Sequence, residues 1–250
     1  MKKVLILIAV IFAHFFATAQ VSIKDSAIGL TMIEVGYKGL FPGGDFADRF
    51  GYSSMVGVHV GYKFINNFYL SAGYDFLFGG KLREKDILNS ITINGYLIDY
   101  EGNYTPPRMQ ESGFAVPLTV GKIFGGTLAN NKNSGIYIEA GAQFIQHKIW
   151  FNLPRNRIPT LTKQYQKGYD RLTNGIGATQ SIGYRFFANN GFANFVIGFD
   201  MSENFTQNRR SIDLDKGVAD TKKRMDLLYG IRACWTLPIY KEAASKTYYY

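Results

Sequence analysis

Past residue 20 the sequence holds two histidines, His59 and His147, and one cysteine, Cys234. A histidine beside Ser, Asp or Glu is the usual equipment of acyl-transfer and hydrolytic sites. Both histidines, however, sit inside runs of strictly alternating apolar and polar letters. Eight charged residues share such runs: Glu34, Lys38, Lys63, Asp75, Glu139, Arg185, Asp200 and Arg232, four of each sign. A second group of charges is clustered and basic. Arg155, Arg157, Lys163, Lys167 and Arg171 form one cluster, and Arg209, Arg210, Lys216, Lys222, Lys223 and Arg224 the other. Exposed Arg and Lys of this density suit phosphate or carboxylate ligands. A single cysteine rules out an intrachain disulfide, and Cys234 reads as a small interior residue.

The elements that position these groups are strands. From Ser53, Val56, Val58, Val60, Tyr62 and Phe64 alternate with Met55, Gly57, His59, Gly61 and Lys63; after Asn66-Asn67 the pattern restarts with Phe68, Leu70, Ala72, Tyr74, Phe76 and Phe78. A period of two places one set on each face. Two long strands, each with a wholly apolar face, read as a hairpin of a transmembrane barrel. The sheet must close, because an unpaired edge in hydrocarbon costs several kcal/mol per backbone group.

Alternation predicts eight strands: 29–41, 53–64, 68–79, 113–124, 135–151, 175–187, 192–205 and 225–240. The connections are long after the odd strands and short after the even ones, so the long loops are extracellular and the short turns periplasmic. The expected fold class is therefore all-β, an eight-stranded antiparallel up-and-down transmembrane β-barrel. Ten strands is the alternative, with the Asn94-Gly95 turn inside 80–111 marking an extra hairpin. Its arms are shorter than the ~9–11 residues needed to cross. Gln180 interrupts the apolar face of its strand.

The address follows from the first residues. Lys2 and Lys3, a short apolar run and Ala17-Thr18-Ala19 predict a secretory signal peptide over 1–19, a barrel over 20–240 and a periplasmic tail over 241–250. Removing Lys2 and Lys3 takes the formal charge of +9 to +7. Composition agrees with export to the outer membrane: 17 Tyr, 20 Phe and 27 Gly, with 19% charged residues against ~25% in soluble domains. Nucleic acid is not an expected partner despite a pI near 9.4.

Eight strands leave an interior that side chains fill, so a diffusion pore is excluded. The inward charges Glu34, Asp75, Glu139, Arg185, Asp200 and Arg232 must then pair. Counting from the loops pairs Asp200 with Arg232 and Glu139 with Arg185. The loop residues Arg155, Arg157, Arg171, Arg209 and Arg210 are the candidate contacts for lipopolysaccharide phosphates. No cofactor or metal site is expected. The reading is non-enzymatic, with a lipid A-modifying enzyme using His147 as one alternative and a free-standing surface-binding barrel as another.

GGDFADRFG at 43–51, QHKI at 146–149, YQKGYDRLTNG at 165–175, FTQNRRS at 205–211 and RMDLLYGIRACWTLPIY at 224–240 resemble a family of small Bacteroidota outer-membrane barrel proteins, mostly of unknown function. At the level of fold the chain is also similar to the transmembrane domain of outer-membrane protein A. The resemblance implies an accessory role with protein partners in an envelope complex, such as barrel assembly or type IX secretion. It names no active residue.

Overall fold

The computed structural model describes residues 27–127, 131–153, 158–188 and 193–240. The expected signal peptide (1–19), the tail (241–250) and the turn at 189–191 lie outside the described residues. The ring strands are β1 (Leu30–Gly43), β2 (Ser53–Lys63), β3 (Phe68–Gly79), β6 (Met109–Gly125), β7 (Gly135–Phe151), β8 (Thr173–Phe186), β9 (Phe195–Asn208) and β10 (Lys223–Tyr240). They close in the order β1-β10-β9-β8-β7-β6-β3-β2, every pair antiparallel. The count is eight.

Closure satisfies the backbone, and the period of two does the rest. Val56, Val58 and Val60 are 46–54% exposed on the outside of β2, while Met55 and His59 between them are buried. The same outer face carries Leu70 and Phe76 on β3, Leu118 and Val120 on β6, and Ile231 and Trp235 on β10. Rings pair on this surface, Tyr74 with Phe114 and Phe186 with Phe195, at centroid distances of 5.5 and 5.0 Å. An apolar outer belt on a closed ring is the arrangement that lipid requires.

The ten-strand alternative does not form. Asn94 and Gly95 do make a tight turn, with φ of 50° and 82°, but only Ile93 and Tyr96 bridge across it. Too few residues flank the turn to build a ladder. A short separate hairpin follows, β4 (Leu97–Ile98) with β5 (Tyr104–Thr105).

The segment after β1 departs from a plain loop. Gly44–Arg49 is a short helix, α1, entered through Gly44 at φ +57°. Its Phe46, and Phe50 just beyond it, are buried to 1% and 0% exposure in the outer mouth of the barrel. Below and around them lie Leu40, Met55, Leu77 and Ile145. A second apolar cluster, including Met32, Tyr69, Ile123 and Tyr137, fills the periplasmic end. Charges occupy the level between the two clusters.

Packing at that level depends on glycine. Gly121 lies beside Tyr69 on one neighbouring strand and Glu139 on the other. The ring of Tyr69 passes over Gly121, where a Cβ would stand 2.4 Å from it, to donate its hydroxyl to Glu139 at 2.8 Å. Gly121→Val therefore displaces the ring and breaks that bond. Overpacking of this kind costs about 1–3 kcal/mol. The expected result is a lower temperature for loss of the compact, SDS-resistant band on electrophoresis.

Candidate functional site

Two groups of charged side chains are built by the fold, one inside the lumen and one in the outer loops. In the lumen Lys38 lies 2.9 Å from Asp75 and 3.4 Å from Asp200. Arg232 reaches Asp200 at 3.4 Å and Glu139 at 3.2 Å, and donates to the hydroxyls of Tyr137 and Ser181 at 2.8 Å each. Arg185 is ion-paired with Glu34, which also accepts from Thr236. Its guanidinium stacks 4.9 Å from the Tyr69 ring. His59 Nε2 is 3.0 Å from Asp75.

Among the six lumen residues singled out in the sequence, Glu34, Asp75, Glu139, Arg185, Asp200 and Arg232, each is thus buried and ion-paired inside the barrel. One expected pairing is corrected. Glu139 is bonded to Arg232, and Arg185 to Glu34. On β7 and β8 Glu139 stands opposite Ser181 and Arg185 opposite Gly135. That offset of four residues is about 13 Å along the strand. A guanidinium instead reaches more easily across a lumen this narrow. Asp200 and Arg232 meet although they are not directly opposed. Their paired positions are Gly230 and Gly198, and the missing side chains let the two approach diagonally. Lys63 belongs elsewhere: it is buried at the periplasmic end, donating to Ile28 O at 2.8 Å and Asn133 Oδ1 at 2.9 Å.

The space left among these groups is small. A cavity of about 20 Å³ beside Lys38, Gln143 and Asp200 holds roughly one water.

His147 is at the outer end of the lumen and 1% exposed. Its Nε2 lies 2.9 Å from Asp226, which accepts from Thr206 at 2.6 Å. The imidazole meets the rings of Phe46 and Phe50 edge-on, at 4.9 and 5.5 Å between centroids. The array has an acid and a base, and the rings of Phe46 and Phe50 pack over its imidazole. Asp226 went unnoticed in the sequence although its parity matches Arg232. Glu111, buried and bonded to Ser53 at 2.5 Å, was missed because the sequence reading put it at the end of the 80–111 connection, whereas the strand begins at Met109.

The outer loops are cross-tied. Arg171, 1% exposed, sits 2.8 Å from Asp213, 2.6 Å from Asp215 and 3.3 Å from Glu84. Burial opposes its charge, but the carboxylates outweigh burial and raise its pKa. Burial likewise opposes ionisation of Asp215, yet the Arg171 hydrogen bond holds that carboxyl below its usual range. Arg49, from α1, is 3.3 Å from the same Glu84 and donates to Thr173 at 3.0 Å. Arg210 grips Asp170 through two nitrogens, at 2.8 and 2.5 Å.

These ties correct the expected set of anion contacts. Arg171 and Arg210 already hold carboxylates of their own chain, because the loops carry nearby aspartates that the count of positive charges hid. Arg155 and Arg157 lie outside the described residues. Arg209 is exposed, and its Nε donates to Asn174 Oδ1 at 2.6 Å without an acidic partner among the described residues. Strand parity adds Lys148 on β7, which the sequence reading passed over, and sets it on the outward face with Lys223 of the second basic cluster, on β10. Between them run Gln146, Asn174 and Gln207, paired in one lateral row that ends at Lys223. The result is a polar, basic rim directly above the apolar belt.

No family model matches the sequence, and no curated protein does. Solved structures with a similar course include Ail, the attachment invasion locus protein of Yersinia pestis, in complex with the heparin analogue sucrose octasulfate. It is 13% identical, with 84% of this chain and 99% of that chain covered and a TM-score of 0.41. The N-terminal β-barrel domain of Pseudomonas aeruginosa OprF is 12% identical over 83% and 99%, with a TM-score of 0.36. The outer membrane protein OprG from the same organism is 10% identical over 86% and 98%, with a TM-score of 0.39. At such distances the likeness says nothing about activity. The closed eight-stranded ring and its apolar belt make this chain an outer-membrane β-barrel.

Proposed function

We propose that the protein is a non-enzymatic, non-conducting barrel that serves as an interaction subunit of an envelope complex. The observation that carries this reading is the sealed interior. With apolar clusters at both ends and paired charges between them, nothing is left for the lumen to transport, and chemistry must happen on the surface. The cross-tied loops supply a surface suited to binding, since a cap held rigid by Arg171 and Arg210 loses little entropy when a partner docks.

A second reading has its own support in the rim. Lys148, Arg209 and Lys223 are outward-facing cations at the level where phosphates of lipopolysaccharide begin, and they lack acidic partners among the described residues. One preparation tests both. Tagged full-length protein, extracted in mild detergent, is expected to bring down a stoichiometric companion; recovery of the barrel alone overturns the subunit reading. Titrated with lipopolysaccharide, the K148A/R209A/K223A variant is expected to bind about tenfold more weakly at low salt, the sum of three modest exposed ion pairs. Unchanged affinity removes the rim as the contact.

A further inference from the structure

The two ends of the barrel differ in how their charges are matched. The outer loops set Arg171, Arg210 and Arg224 against aspartates of their own chain. The periplasmic connections, 64–67, 126–134 and 187–194, hold one lysine, Lys132, and no Asp or Glu. On the ring strands, parity sets three Lys or Arg outward among the described residues: Lys148 and Lys223 near the outer ends, and Lys122 on β6. Lys122 alone belongs to the periplasmic side.

Its depth follows from its neighbours. Lys122 is three residues from the end of β6 at Gly125, about 10 Å along the strand. On the same face Val120 and Leu118, 58 and 56% exposed, continue into the belt, while Phe124 is the next residue toward the periplasm. The paired position on β3 is Phe68, the first residue of that strand. The ammonium stands 4.5 Å from the centre of the Phe68 ring and 5.9 Å from that of Phe124. Tyr62 and Phe64, 5.0 Å between centroids, extend the same aromatic edge. Rings of this kind mark the headgroup level, and a lysine at the end of a span turns its charge toward it. Lys122 makes no ion pair among the described residues. Lys132 lies just beyond, exposed on a turn tied to this edge: its carbonyl accepts from Asn67 Nδ2 at 2.8 Å, and Asn67 O accepts from Ile123 N at 2.9 Å.

We propose that Lys122 and Lys132 hold the phosphate of an anionic glycerophospholipid in the periplasmic leaflet, its acyl chains lying along Val120 and Leu118. The membrane itself supplies the occupant, since this edge faces lipid and its cations have no carboxylate within the chain to pair with. Lipopolysaccharide is the wrong source, because its phosphates lie at the opposite face, beside Lys148 and Lys223. A zwitterionic headgroup fits less well. Its own ammonium would meet a rim without Asp or Glu, and Lys122 already occupies the faces of both rings. A net negative headgroup such as phosphatidylglycerol matches the two lysines. The inference concerns the periplasmic edge and rests on neither reading above, so its failure would leave both of them standing.

The test is native mass spectrometry of the full chain in mild detergent, titrated separately with phosphatidylglycerol, phosphatidylcholine, lipopolysaccharide and glycerol phosphate. Phosphatidylglycerol is expected to be retained in preference to phosphatidylcholine, and glycerol phosphate, which has no acyl chains, is expected to be lost. Lys122→Gln and Lys132→Gln are each expected to weaken the phosphatidylglycerol adduct about fivefold, the ordinary worth of one cation near an anionic surface, and to leave lipopolysaccharide binding unchanged. Lys122→Arg keeps the charge and the long stem, so it should bind as the wild type does. Because Lys122→Gln removes a charge that no ion pair within the fold requires, its heat-modifiable band should persist, which separates lost binding from lost folding. Equal retention of the two phospholipids, undiminished phosphatidylglycerol in the K122Q/K132Q double variant, lipopolysaccharide weakened as much as phosphatidylglycerol, or glycerol phosphate bound as tightly as the lipid each overturns the proposal.

Discussion

Arg232→Met is expected to destabilise the barrel by roughly 3–5 kcal/mol, the usual consequence of deleting one member of a buried charge network. The guanidinium is 3% exposed and is the only cation within ion-pair distance of Glu139 among the described residues. Methionine is shorter but keeps an unbranched apolar stem in the space, so most of the loss is electrostatic. Glu139 would keep only the Tyr69 hydroxyl, and Asp200 would depend on Lys38 at 3.4 Å. Tyr137 and Ser181 would retain each other at 2.9 Å but lose their charged donor. The measurement is the urea concentration at which the compact electrophoretic band is lost in lipid vesicles. The triple variant R232M/E139Q/D200N should recover much of the loss, because an uncharged site has no unpaired ion to solvate. If the single variant unfolds with the wild type, the lumen charges are water-exposed and the sealed interior is wrong.

The fold was legible because a barrel writes its outside on every second residue. Val56, Val58 and Val60 announce lipid whatever lies beyond them, and the Asn-Asn turn after Phe64 fixes the hairpin. Parity also gave the lumen charges. It could not give their partners, since parity is a property of one strand and partner choice depends on how far side chains reach across a tube. Glu139 and Arg185 show this: adjacent strands, the same inward parity, different mates. The outer loops were less legible for another reason. Arg171 read as free because its acids, Glu84, Asp213 and Asp215, come from two other loops that only the closed ring brings together. Phe46 and Phe50 looked like ordinary loop residues until α1 turned them into the mouth.

Arg171→Ala is the variant that separates the cap from the barrel. Asp213 is 1% exposed and loses its salt bridge, while Asp215 loses its 2.6 Å contact and Glu84 keeps Arg49. Leaving a buried carboxylate without its cation costs about 3 kcal/mol or more, here borne by the loops and not by the ring. Arg171 also holds a φ of +51°, a left-handed conformation that a non-glycine residue keeps only under constraint. Trypsin should therefore cut the loop over 209–222 on the order of 100-fold faster in the variant, with the heat-modifiable band of the barrel unchanged. Acid should reproduce part of this in the wild type. Because the folded pKa of Asp215 is depressed, its contribution is complete above the ordinary carboxylate pKa of about 4 and is lost as pH falls through the lower folded value. An acid-stable protease that cuts the loops at pH 3 and spares them at pH 6 would show the loss; equal cutting at both would mean that Arg171 does not hold the cap. Arg171→Lys is the closing control. It keeps the charge but presents a single ammonium where a forked guanidinium spans three carboxylates, so its cutting rate should fall between those of wild type and alanine.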